Sequence, residues 1–132
     1  LILGTDAQPH LVHRAVQAQY PESALRDIPP QWRIAFDGHG RVFQLREEYR
    51  TAVRFAVHDL RSGAPGGPFD LVLCRNLAFT YWDQSLQAET LRHIDLSLKP
   101  GGALVTGIHE SLPPDAPFTT AWSGATCIFR KP

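Results

Sequence analysis

The stretch that most constrains this chain is residues 68–83, PFDLVLCRNLAFTYWD. A turn leads into an apolar run from Phe69 to Cys74, interrupted only by Asp70, and the run stops abruptly at Arg75–Asn76. An apolar run this short, bounded by turn signals, is most easily read as a buried parallel strand. Open α/β sheets take ligands at the C-terminal ends of their strands, so the polar pair marks a candidate site. Phe79, Tyr81 and Trp82 follow as an aromatic cluster, and Asp83 is placed to cap a helix.

The other segments fall on either side of this strand. Leu1 to Gly4 reads as a strand ended by Thr5–Asp6. Pro9 suits the first turn of a helix, where its missing N–H costs nothing. Leu11, Val12, Ala15, Val16 and Gln19 then form a stripe at helical spacing that Pro21 stops. The segment through Trp32 is irregular, with Pro29–Pro30 opening a short helical turn. The turn signal DGHG at 37–40 separates a short helix, Trp32 to Phe36, from a strand, Arg41 to Leu45. Val53, Phe55 and Val57 alternate with Arg54 and Ala56, which predicts a strand ending at His58–Asp59. Residues 61–68 read as a loop. A helix is expected from Gln84 to Leu98, with Leu86, Leu91, Ile94 and Leu98 inward. Lys99-Pro100-Gly101-Gly102 would end it through a basic last residue and C-cap glycines. Ala103 to Gly107 reads as a strand. Phe118–Trp122 and Thr126–Phe129, around Ser123–Gly124, read as a terminal antiparallel hairpin. Such alternation predicts an α/β sheet with helices on both faces.

The 132 residues suffice for one domain with a core of its own. Lys+Arg and Asp+Glu are both 13, a balance that gives no support for a nucleic-acid or membrane-surface partner. No apolar run reaches membrane-spanning length, so membrane insertion is not expected. No basic segment precedes an apolar one as in a signal peptide. Cys74 and Cys127 are too few for a disulfide scaffold or a Cys-based metal site, and they read as buried thiols in a reducing compartment, the cytoplasm. There is no methionine, even at position 1, which leads us to expect an excised or partial chain.

Several residues are candidates for chemistry, each with a plainer alternative. Asp6, between a strand and a helix, can accept both hydroxyls of a ribose, or simply cap a local turn. Asp59 can accept from an adenine amino group, or cap the next turn. Asn76 offers a donor and an acceptor to a polar ligand, or forms an Asx-turn. Tyr81 can line a pocket, whereas Trp82 reads as core. Among the histidines other than His58 (His10, His13, His39, His93 and His109) only the pair His109–Glu110, at a strand end, stands out. No upstream metal motif accompanies it, so no metal site is expected. No GxSxG, Walker A or CxxC pattern is present. The glycines of GAPGG, 63–67, precede a strand, the wrong order to cradle a phosphate or carboxylate on a helix N-terminus.

In combination, ILGTD, Ala15, Tyr20-PES-Ala24-Leu25-Arg26, Pro29, Pro30, Trp32, VRFAVHDL, FDLVLCRN and LKPGG resemble the S-adenosyl-L-methionine-dependent domain of the CheR-type (chemotaxis receptor) methyltransferases, which methylate receptor glutamates. The resemblance runs from Leu1 to about Glu110. It implies a class I methyltransferase, Rossmann-like sheet. It also implies that Asp6 binds the cofactor ribose, that Asp59 and Leu60 border the adenine, and that Asn76 and Leu77 line the cofactor pocket. Tyr81 matches the tyrosine near the methyl-transfer site, although the interval from Asn76 to Asp83 is one residue longer than the family's. The family's helical N-terminal domain, first strand and Gly-rich loop would all lie before Leu1.

The expectation is therefore a partial methyltransferase domain, 1–132, with a gap in mid-sheet and two unpaired strand edges. A missing N-terminal segment or a second chain would complete it, and the fragment alone would be inactive. The complete protein would methylate a carboxylate, on a protein glutamate. The alternatives are a non-catalytic scaffold derived from a methyltransferase and a nicotinamide-dependent Rossmann enzyme.

Overall fold

The computed structural model describes residues 1–38 and 40–132. They form two compact units, Leu1–Asp59 and Leu60–Pro132. The turn expected at 37–40 includes His39, which lies outside the described residues.

In the first unit, β1 (Ile2–Asp6) runs parallel to β5 (Val53–Val57), in a register that sets Asp6 opposite Val57. The strand thus includes Thr5 and Asp6, two residues beyond the expected end. The crossover between them carries α1 (Pro9–Gln17), with Pro9 in its first turn as expected. This helix stops before Pro21. Ala18 adopts a left-handed conformation, φ 52°, and its N–H donates to the carbonyls of Arg14 and Ala15. Gln19–Pro21 becomes β2, the first strand of an antiparallel sheet in the order β2-β4-β3, with β3 at Phe36–Asp37 and β4 at Val42–Leu45. Two 3-10 helices, Glu22–Leu25 and Pro30–Ala35, link β2 to β3, and Arg33 ties them by donating to the carbonyl of Leu25 at 3.0 Å. Tyr20 packs edge-on against Phe36 at 5.7 Å. The short helix α2 (Glu47–Arg50) leads into β5.

In the second unit, β6 (Phe69–Leu73) is followed by α3 (Ala78–Tyr81), α4 (Gln84–Ser97) and β7 (Leu98–Val105). Strands β8 (Thr119–Thr120) and β9 (Ile128–Arg130) complete a sheet in the order β6-β7-β9-β8. The β6–β7 pair is parallel and the other pairs antiparallel, so the expected terminal hairpin is present. Asp83 caps α4 by accepting from the N–H of Leu86 at 3.0 Å. The inward face of α4 carries Leu91 and Ile94, which join Cys74, Ala78, Phe79, Leu98 and Leu104 in the core.

Two local expectations are corrected. Lys99 to Gly102 do not end α4; Leu98 is its C-cap, with the N–H donating to the carbonyls of Ile94 and Asp95. Leu98 is already extended, with φ −90° and ψ 141°, and Lys99 to Gly102 form an irregularity in β7, where the register jumps from Phe69↔Leu98 to Leu71↔Ala103. Gly102 is needed there, because a Cβ would lie 2.9 Å from the Lys99 carbonyl and 3.2 Å from that of Asp70. Strand β6 is parallel, as expected, but not buried. It is an edge strand of its sheet, and Leu71 and Leu73 are 52% and 66% exposed. Among the described residues, β1 pairs only with β5 and β6 only with β7. Likewise β5 pairs only with β1, and β8 only with β9, so β1, β5, β6 and β8 each carry an unpaired edge among the described residues.

Leu104 is fully buried in β7. Leu104→Ala should therefore lower the unfolding free energy by roughly 2–5 kcal/mol in urea titrations. Asp83→Ala, which removes one cap, should cost about 1 kcal/mol.

Candidate functional site

Each unit brings acids or amides to the C-terminal ends of its parallel strands. In the first, the ladder continues past β5 as the N–H of His58 donates to the Asp6 carbonyl at 2.9 Å. Asp6 and Asp59 therefore end neighbouring strands. The Asp6 carboxylate is half-buried, and its Oδ1 accepts from the N–H of Gln8 at 2.8 Å. The local-turn reading of Asp6 is thus correct for one oxygen. Among the described residues Oδ2 has no such bond, which leaves it able to serve an outside donor. A cleft of about 290 Å³ in this unit, lined by Val16, Tyr20, Arg50 and Phe55 among others, includes neither acid.

In the second unit, the chain leaves β6 through Cys74 and turns at Asn76, whose φ is 53°. Asn and Asp enter this left-handed region more readily than other side chains. The turn delivers Asn76 and Leu77 to the start of α3. Glu110, only 5% exposed, lies against it. Its Oε2 accepts from the N–H groups of Asn76 at 2.8 Å and Gly107 at 2.5 Å. Its Oε1 accepts from the Thr80 hydroxyl at 2.5 Å and the Leu77 N–H at 3.3 Å. A Cβ on Gly107 would overlap the Asn76 carboxamide and approach Glu110 Oε2 to 2.8 Å. Burial raises the Glu110 pKa, but the bonds from Thr80, Gly107, Asn76 and Leu77 outweigh it and hold the carboxyl below its ordinary value. The Cys74 thiol is pushed up by burial, an effect the Ala78 N–H opposes and the Glu110 charge reinforces.

The sequence singled out Glu110 only as half of a weak metal pair. In the structure it is the acceptor at the centre of a turn. The signal available was an acid just after an apolar strand, at Gly107-x-x-Glu110. Among the described residues no group of three or more His, Cys, Asp or Glu is arranged to hold a metal ion. Tyr81, expected near the methyl-transfer site, ends α3 and is 74% exposed, whereas Trp82 packs on the core as expected. Leu60 also packs against the core of the second unit. Cys74 is buried, but Cys127 is only partly so.

Residues 1–126 match the family described as "CheR methyltransferase, SAM binding domain". The chain belongs to this family. It is 34% identical over 112 residues to a chemotaxis protein methyltransferase of Listeria innocua, an alignment covering 84% of this chain and 42% of that protein. It is 31% identical over 117 residues to the chemotaxis protein methyltransferase of Escherichia coli K12, covering 83% and 41%. The chain thus spans about two fifths of these relatives. A crystal structure of a possible exported protein from Bordetella parapertussis shares the fold, with a TM-score of 0.57 at 17% identity, covering 98% of this chain and 53% of that one.

S-adenosylmethionine is accordingly the cofactor of this CheR-family domain, in preference to a nicotinamide dinucleotide. The residues present fit it. Its ribose hydroxyls need acceptors, and Asp6, at the ligand end of β1, has Oδ2 beyond the oxygen that Gln8 occupies. Gly107, by lacking a Cβ, leaves the space that the Asn76 carboxamide uses. Among the described residues no helix is long and apolar enough to cross a membrane.

The lowered Glu110 pKa has a pH consequence. The folded protein binds this proton less readily than the unfolded chain, whose value is near 4.5. The Glu110 contribution to stability is complete above that value and is lost as pH falls through the lower folded-state pKa. Urea midpoints measured from about pH 6 down to about pH 3 should drop more steeply for wild type than for Glu110→Gln.

Proposed function

We propose that the protein of which this chain is part transfers a methyl group from S-adenosylmethionine to a carboxylate oxygen, on a protein glutamate, giving a methyl ester. The observation that carries this reading is the family match over residues 1–126, together with acids and an amide at the ligand ends of the parallel strands. The bound cofactor supplies an activated methyl on a sulfonium. A carboxylate acceptor is already deprotonated near neutral pH, so no strong general base is required. The work of the protein is to place the acceptor and exclude water. Asp6 accepts from the ribose hydroxyls, Asp59 and Leu60 border the adenine, and Asn76 and Leu77 line the pocket. Tyr81 orients the acceptor or packs the methyl site, and its exposure supports a role toward an incoming substrate.

The partner on this reading is a protein that bears the acceptor glutamate. The open edges of β1 and β6 support completion of the sheet by a further segment of the longer protein or by a second chain. The free thiols of Cys74 and Cys127 support a cytoplasmic setting.

Calorimetric titration of the full-length protein with S-adenosylhomocysteine tests this directly. The wild type should bind, and Asp6→Ala should weaken binding by about tenfold to a hundredfold, the loss expected for charge-assisted hydrogen bonds. Tyr81→Ala should lower the release of base-labile methyl from labelled product while leaving that affinity within about twofold, since the tyrosine serves the acceptor. A full-length protein that does not bind would remove the reading.

A further inference from the structure

We infer that Glu110 is a positioning residue, whose carboxylate holds the Asn76–Leu77 turn in the conformation that offers the Asn76 carboxamide to the cofactor. The inference rests on the reading of this chain as a binder of S-adenosylmethionine. It deepens that reading by naming a residue that acts without touching the ligand.

The geometry carries the argument. Asn76 sits in the left-handed region at φ 53°, which asparagine enters more readily than other side chains but which its partners still have to select. Here the N–H groups of two consecutive residues, Asn76 and Leu77, are taken by the two oxygens of one carboxylate. Each of those oxygens has a second donor, Gly107 N–H on Oε2 and the Thr80 hydroxyl on Oε1. The carboxylate thereby ties three places together: the turn after β6, the helix α3, and the end of β7. Both strand ends lie on the side at which parallel sheets receive ligands. Glu110 is buried and accepts four bonds, so it has little capacity left for a ligand of its own. Its influence on the cofactor passes through Asn76.

Charge is required for this arrangement. A glutamine at 110 offers one oxygen, and its NH2 group would face two of the four donors. Gly107 is the second requirement. A Cβ there would push on the Asn76 carboxamide from one side and on Glu110 Oε2 from the other. Gly107→Ala therefore disturbs the same turn by adding atoms, with the Glu110 charge left in place.

The test is calorimetric titration of the full-length protein with S-adenosylhomocysteine, for wild type, Glu110→Gln, Asn76→Ala, the double variant and Gly107→Ala. Near-ultraviolet circular dichroism checks that each is folded. Glu110→Gln and Asn76→Ala should each weaken binding about tenfold, and Gly107→Ala comparably. The double variant should be no more than about twofold worse than the poorer single, because Glu110 acts through Asn76. A general structural role would instead give losses that multiply. Folded Glu110→Gln with wild-type affinity, or multiplying losses, overturns the inference. If Glu110→Gln does not fold, Gly107→Ala decides, and unchanged affinity there overturns it. A wild type that fails to bind sinks the cofactor reading and this inference with it, whereas binding that Glu110→Gln fully retains sinks the inference alone.

Discussion

A parallel strand that ends in a left-handed asparagine leaves consecutive N–H groups with no strand or helix to receive them. Among the described residues, the N–H groups of Asn76 and Leu77 have no backbone carbonyl partner, and both are taken by Glu110. Both bonds are partly buried, so leaving these donors unpaired would cost part of the roughly 1–3 kcal/mol of a fully buried donor. Desolvating a carboxylate is costly as well, and is tolerated only because four donors surround it. The net direction of the Glu110 pKa, below the ordinary value, indicates that the donors prevail. The turn that follows β6, and with it Asn76, depends on this balance.

The rest of the second unit supports that turn. Ala78 and Phe79, directly after it, are core residues. The cap at Asp83 starts α4, whose buried face closes over Leu98 and Leu104. The Lys99–Gly102 irregularity lets β7 run beside β6 with Leu71 opposite Ala103, and β7 then leads to Gly107 and Glu110. The first unit solves a separate problem, placing Asp6 and Asp59 at the ends of two parallel strands through a crossover, residues 7–52, that carries α1, the β2-β4-β3 sheet and α2.

What the sequence disclosed was what depends on near neighbours. Asp83 before a helical stripe specified the start of α4, and the apolar run Phe69–Leu73 specified β6. The ordered motifs from ILGTD to LKPGG specified the family. Errors arose where one local signal serves two structures. Ala18 ends α1 without a glycine to announce it. The glycines of LKPGG suit a helix C-cap and a strand irregularity alike, and the direct passage from Ser97 into β7 selected the latter. Strands β2 and β3, of three and two residues, are too short to show a period of two. Burial of β6 was overestimated because an apolar run does not reveal which strand lies at a sheet edge. Glu110 was missed as an organising residue because its partners Asn76 and Leu77 lie 34 and 33 residues away. No local pattern carries that information.

The most direct measurement is a crystal structure of the full-length protein with S-adenosylhomocysteine. The account predicts the Asp6 carboxylate on the ribose hydroxyls, the Asn76 carboxamide against the cofactor, and Glu110 still accepting from Asn76, Leu77, Thr80 and Gly107. A ligand seated away from the ends of β1, β5 and β6, or a Glu110 side chain turned out of that turn, would contradict it.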